Sequence, residues 1–248
     1  MPEILSELND SILTLTLNRP EKQNAITREM YKTLADGIGA AKDDFGIRAV
    51  IITSSSKHFT SGNDLFDFLN DPPLEPGSPV MNFLESILNF PKPLLAAVSG
   101  NAVGIGTTML FHCDVVVASP TTRFSMPFVN LGLVPEAGSS LLFPRLVGHQ
   151  RASKVFLAGD AFDSNYALDV GLIAEIDDDP YSKIRSIAER IAAQPPNAVI
   201  QTKALLKAEL HDKTAAVMRA EGELFSMALQ SEEAREAFMN FLNRKGSQ

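Results

Sequence analysis

Three short apolar runs constrain this chain more than any other feature. They are "AVIIT" (Ala49–Thr53), "PLLAAV" (Pro93–Val98) and "VVVA" (Val115–Ala118). None carries a charge, and stretches of helical period lie between them. Continuous apolar runs of this length suit strands buried on both faces. Strands that alternate with helices predict an α/β fold. At 248 residues the chain can be one large α/β domain, or one domain with an appended segment.

The flanking sequence fills in this frame. Ile12, Thr14 and Thr16 alternate against Leu13, Leu15 and Leu17, the period of a half-buried strand. Asn9–Asp10 predicts a turn back to a first strand over Glu3–Leu8. Thr27 can cap a helix whose apolar face is Met30, Leu34, Ile38 and Ala41. Asn70–Pro79, rich in Pro, Asp and Gly, reads as loop, followed by a helix over Met81–Asn89. A short helix is expected over Ile105–His112. Pro195 and Pro196 in "AAQPPNAV" break the chain. Beyond them the spacing is helical: Ala204, Leu205 and Ala208, then Leu224, Phe225, Ala228 and Leu229, then Phe238, Phe241 and Leu242. The expected division is a core over 1–193 and a helical segment over 194–248. That segment either covers the core or packs on another subunit.

Several function classes are disfavoured. A net charge of −8 argues against nucleic-acid binding, which needs a basic field. The lone Cys113 has no internal disulfide partner. No apolar run approaches the ~20 residues of a membrane span. The acidic start "MPEILSELNDS" does not read as a signal peptide, and "NRKGSQ" is not a peroxisomal Ser-Lys-Leu address. A cytoplasmic protein is expected. His58, His112, His149 and His211 show no metal-ligand spacing, with or without Cys113, and read as surface or satisfied structural residues. There is no Walker loop, "GNAVGIG" is not Gly-x-Gly-x-x-Gly, and no Gly-x-Ser-x-Gly elbow occurs.

Two glycine-bearing turns remain, each just after an expected strand: "HFTSGNDL" and "SGNAVGIG". Such turns let backbone N–H groups face a ligand closely, and a helix opening there adds its free amides. Two side by side could form an oxyanion hole; as plain tight turns they would do nothing chemical. Glu136 is the sole ionisable residue of "NLGLVPEAGSSLLFP". Pro135–Glu136 suits a first helical turn, where the dipole favours an acid. A chemical role is the other reading.

These segments, with "LTLNRPEKQNAI", "CDVVVAS", "TRFSMPFVNLGLVPEAGSS", "RLVG" and "AFDSNYALDVGLI", resemble the crotonase (enoyl-CoA hydratase/isomerase) superfamily. The resemblance implies a crotonase-like α/β fold of repeated ββα units with a C-terminal all-helical segment. It implies an acyl-CoA substrate, with coenzyme A carried by that substrate and no separate cofactor or metal. It implies a homotrimer or homohexamer. The backbone N–H groups of Ser61 and Ile105 would form the oxyanion hole, shaped by Gly62, Asn63 and Gly104. Arg19, Lys22, Asn24 and Ala25 match the coenzyme A segment, and Lys203 and Lys207 could add charge. Leu65, Phe66, Phe68, Leu69 and Phe128 fall where an acyl group would lie.

Hydratases of the family hold catalytic glutamates at positions that are Thr108 and Phe128 here. Hydration must activate water and protonate carbon, and Thr and Phe cannot supply that acid pair. Moving a double bond needs one carboxylate. "SSGNDL" and the "PE" of "NLGLVPEAGSS" resemble the peroxisomal type of Δ3,Δ2-enoyl-CoA isomerase, which makes Glu136 the expected base. Asp64 is the rival acid, but an Asp at such a turn more often caps the next helix. The alternatives are another crotonase reaction (hydration, dienoyl-CoA isomerisation, thioester hydrolysis) and a non-catalytic acyl-CoA binding subunit.

Overall fold

The alternating run at Ile12–Leu17 is the second strand of an N-terminal hairpin. In the computed structural model, which describes residues 2–70 and 77–245, β1 (Ile4–Asn9) pairs antiparallel with β2 (Ile12–Leu17). The turn uses Asp10 and Ser11, both at positive φ. Residues 71–76 of the expected loop, and the side chains of Leu69, Phe241 and Leu242, lie outside what is described.

Helix α1 (Arg28–Asp43) starts where Thr27 Oγ1 accepts the Met30 N–H at 3.2 Å. It buries Met30, Leu34, Ile38 and Ala41, and also Tyr31. Strand β3 (Ala49–Ser54) runs parallel to β2. Helices α2 (Leu65–Asn70) and α3 (Pro79–Leu88) follow, so Asn70 and Pro79 end helices rather than sit in the loop. Then come β4 (Leu94–Val98), β5 (Asn101–Val103) and α4 (Ile105–Thr108), which tightens into a 3₁₀ turn over Met109–His112. Strands β6 (Val115–Ala118) and β7 (Arg123–Ser125) repeat the strand–strand step. Helices α5 (Ser139–Val147) and α6 (His149–Ala158) precede β8 (Phe162–Asp163), α7 (Ser164–Asp169) and β9 (Glu175–Ile176). The chain closes with α8 (Pro180–Ala192), α9 (Pro196–Lys207), α10 (His211–Leu229) and α11 (Glu232–Lys245).

The strands build two sheets. The main sheet has order β1-β2-β3-β4-β6-β9, parallel after the hairpin; the second has order β5-β7-β8. Thus β4 and β5, and again β6 and β7, are consecutive strands split between the sheets. This is the repeated ββα plan. Helix α8 covers one face of the main sheet, placing Ile184, Ile187 and Ala188 against Ile12, Ile51, Leu95 and Val117. The other face meets α1 and α3 in the larger core. The three apolar runs are strands because both of their faces are covered. Each fully buried Ile or Leu there contributes roughly 1.5–3 kcal/mol.

Candidate active site

The two glycine-bearing turns are laced together. Thr60 N–H donates to the Asn101 carbonyl at 3.0 Å, and Val103 N–H donates to the Thr60 carbonyl at 3.1 Å. Contact between them is close enough to exclude side chains. A Cβ on Gly106 would lie 2.4 Å from Thr60 Cγ2, and one on Gly62, at φ +90°, would lie 3.0 Å from the Val103 carbonyl oxygen.

Several backbone amides in these turns have no acceptor among the described residues, and two of them, one from each turn, bear on the expected oxyanion hole. One belongs to Ile105, the first residue of α4, whose position gives it no intrahelical partner. The other belongs to Asn63. The neighbouring bonds run from Ile26 N–H to the Gly62 carbonyl and from Asp64 N–H to the Ile26 carbonyl, leaving the Asn63 amide unused. This corrects the expectation for Ser61. Its N–H is spent on the Gln23 carbonyl at 2.9 Å, so it is not the free donor of its turn. Asn63 is steadied by the buried Tyr31 hydroxyl, which donates to Asn63 Oδ1.

Beside these turns lies a cavity of about 770 Å³. Lys22, Ala25, Ser61, Gly62, Asn63, Asp64, Leu65, Phe66, Phe68, Gly104 and Phe128 line it. Helices α10 and α11 close it with Phe225, Ala237, Phe238 and Asn240. The helical period around Phe225 and Phe238 marked them as an apolar face, but nothing in the sequence said that this face meets the cavity.

Four cations and polar groups expected at the ligand are engaged elsewhere. Arg19 pairs with Asp64 at 2.6 Å and Glu3 at 3.0 Å and donates to the Ala25 carbonyl at 3.0 Å, so it braces the mouth from behind. Asn24 is fully buried, its amide donating to the carbonyls of His58 at 2.9 Å and Phe59 at 3.1 Å. Lys203 is buried, donates to the Lys92 carbonyl at 2.6 Å and pairs with Asp114 at 2.7 Å. Lys207 donates to the His112 carbonyl at 2.6 Å. Both lysines line a separate cavity of about 320 Å³ that shares no residue with the first. Asp64 accepts from the amides of Phe66 and Asp67 at the start of α2, the cap expected of it.

Glu136 does not sit in a helical first turn, as Pro135–Glu136 suggested. Helix α5 starts at Ser139, and Glu136 precedes it in a turn made by Ala137 (φ 60°) and Gly138 (φ 73°). Glu136 as a whole is only 9% exposed. Its Oε1 accepts the Thr108 hydroxyl. Oε2 has no hydrogen-bond partner among the described residues, yet it is not sealed; Ser139 Oγ is the one buried side-chain atom there without a partner. Glu136 itself is not part of the cavity lining, which includes Phe128 and Leu133 of the segment leading into its turn. Desolvation by burial raises its pKa to about 8, with Thr108 opposing the rise and the charge of Glu221 adding to it. A carboxyl group so placed can accept a proton near neutral pH.

His112 is buried and its Nε2 lies 2.7 Å from the Ala137 carbonyl, so this nitrogen carries the hydrogen. Burial lowers its pKa to about 4. It is a neutral strut beneath the Glu136 turn, a satisfied structural histidine.

Residues 7–248 match the family model described as enoyl-CoA hydratase/isomerase. Enoyl-CoA delta isomerase 2 of Homo sapiens is 34% identical over 245 residues, covering 95% of this chain and 62% of that protein. The chain therefore spans less than two thirds of the length of that relative. The 2,3-dehydroadipyl-CoA hydratase of Escherichia coli (strain K12) is 30% identical over 248 residues, covering 99% of this chain and 97% of that protein. The solved structure of Pseudomonas aeruginosa OdaA matches with a TM-score of 0.95 at 43% identity, covering 97% of this chain and 99% of that one.

Proposed function

This chain belongs to the enoyl-CoA hydratase/isomerase family, and from that premise we propose that it is a Δ3,Δ2-enoyl-CoA isomerase acting through one carboxylate. The observation that carries the reading is Glu136: a buried carboxyl with one free oxygen, bonded to Thr108 where a hydratase of this family holds an acid.

The Glu136 carboxylate takes a proton from C2 of a 3-enoyl thioester. The electron pair of the broken C2–H bond moves into the conjugated system and onto the thioester oxygen. That dienolate oxygen is held by the Asn63 and Ile105 amides, donors fixed in advance of the charge they meet. The protonated Glu136 then returns its proton at C4, and the double bond comes to rest between C2 and C3. No water is added and no redox step occurs, so coenzyme A, as part of the substrate, is the only cofactor chemistry needed.

Phe128, Leu65 and Phe68 offer an apolar berth for the acyl chain, and Lys22 is the cation of the coenzyme A segment that faces the cavity. The exposed Leu205 and Leu206 on α9 and Met227 on α10 support assembly as a homotrimer or homohexamer. Among the described residues no helix is long and apolar enough to cross a membrane.

The test is a panel of 3-enoyl-CoA and 2-enoyl-CoA thioesters of several lengths, scored for isomerisation and hydration. Isomerisation without appreciable hydration is expected. Hydration at a comparable rate would overturn the reading, and binding without turnover would make the protein a non-catalytic acyl-CoA binder.

A further inference from the structure

The turn that carries Glu136 is held from the far end of the chain. Glu221, on α10, is 6% exposed. Its Oε2 accepts the Gly138 N–H at 2.6 Å and its Oε1 accepts the Ser140 N–H at 2.9 Å. These are amides that the start of α5 leaves without intrahelical partners. We propose that Glu221 is a positioning residue for Glu136: it clamps the 136–140 turn to α10 and occupies the helix-start amides that would otherwise serve the Glu136 carboxyl.

The argument rests on competition for one set of donors. Carboxylates are stabilised at helix N-termini by free amides and the positive end of the dipole. Glu136 lies two residues before the Gly138 cap, within reach of that stabilisation by sequence. Were it to take those amides, its charged form would be favoured and its basicity would drop. The structure gives the amides to Glu221 instead, and Glu136 receives only the Thr108 hydroxyl. Glu221 then acts on Glu136 a second way, since two buried carboxylates disfavour each other's charge. The remaining groups around Glu136 do not neutralise it. Tyr31, on α1, is a buried phenol with a raised pKa, through burial first and Glu136 second. His112, under the Ala137 carbonyl, is neutral above about pH 4. Room at the turn is also controlled from α10, because a Cβ on Gly138 would lie 2.7 Å from Thr214 Cγ2.

This inference deepens the isomerase reading and rests on Glu136 being its base. The experiment compares wild type, Glu221→Gln and Glu136→Gln, each checked for folding by its melting curve. The readouts are the pH profile of kcat/KM for 3-enoyl-CoA isomerisation and an infrared titration of the buried carboxyl bands. In Glu221→Gln the acidic limb of the profile and the Glu136 band are expected at lower pH than in wild type. Plateau kcat should fall about 3- to 10-fold, with KM within about twofold. A limb and band that coincide with wild type, with only the melting temperature lowered, would make Glu221 a plain helix cap and overturn the proposal. If Glu221→Gln does not fold, Glu136→Gln decides: coupling between the pair requires the Glu221 band to titrate at lower pH than in wild type, and an unmoved band overturns the proposal. Failure of the isomerase reading looks different: the wild type would then not isomerise 3-enoyl-CoA, or Glu136→Gln would keep its activity.

Discussion

Thr108 donates its hydroxyl to Glu136 Oε1 where neither residue has appreciable contact with water. This bond joins α4, whose first amide has no acceptor among the described residues, to the turn that carries Glu136. A threonine at this position cannot share acid–base work with Glu136. It can only hold the carboxylate and favour its charged form.

Thr108→Val removes that donor without changing side-chain shape. A hydrogen bond to a charged group contributes roughly 1.5–3 kcal/mol. Glu136 should become harder to ionise, so activity at pH 7 falls about 10-fold and recovers towards wild type above pH 9. Thr108→Ser should restore the wild-type profile. The check is kcat/KM against pH for all three proteins.

Glu136 also sets a pH dependence of stability. Its folded pKa is about 8 against an ordinary value of 4.5. Between those values the unfolded chain releases the proton while the folded chain keeps it, so the folded state binds more protons and stability falls as pH rises. Below about pH 4.5 the cost is absent; above about pH 8 it is complete, on the order of a few kcal/mol. Glu136→Gln should therefore melt near wild type at pH 4.5 and well above it at pH 9. Melting curves across that range test the sign.

The fold was largely legible in the sequence, and the site was legible in part. Buried strands such as "AVIIT" declare themselves because burial on both faces forbids polar residues. Glu136 stood out because an acid among apolar residues is costly without a reason. What sequence could not show is which amide of a turn is free. Ser61 and Asn63 sit in the same "SGND" run, and only the Gln23 carbonyl, which takes the Ser61 N–H, separates them. Arg19 and Lys203 illustrate the same limit: a cation reads alike whether it faces a phosphate or a carboxylate of its own chain. Glu221 gave no signal, since its partner amides lie 83 and 81 positions away.

Lys22 and Arg19 should separate in experiment. Lys22 lines the cavity with no ion-pair partner among the described residues, so Lys22→Ala should raise KM for acyl-CoA about 2- to 10-fold, an effect that shrinks at high salt. Arg19→Gln breaks the brace to Asp64 and Glu3 and should lower the melting temperature with a smaller change in KM. Steady-state kinetics at two ionic strengths, with melting curves, resolve the pair.

Gly106→Ala should disable the site without touching substrate. The new methyl meets Thr60, which cannot retreat because its hydroxyl donates to the Asn24 carbonyl at 2.6 Å and accepts the Gly62 N–H at 3.0 Å. Overpacking of this kind costs about 1–3 kcal/mol, and the Ile105 amide should shift with α4. A matched control is Gly39→Ala in α1, where a Cβ meets nothing within 4 Å and stability should rise by about 0.5–1 kcal/mol. Melting temperature and kcat for both variants give the comparison.

The central claim is that one carboxylate carries the proton. Its most direct measurement is kcat for 3-enoyl-CoA isomerisation by Glu136→Gln, a variant that keeps size and shape. Loss of a positioned general base predicts a fall of about 10²- to 10⁴-fold in a folded protein that still binds acyl-CoA. A variant that turns over within about tenfold of wild type would contradict the account.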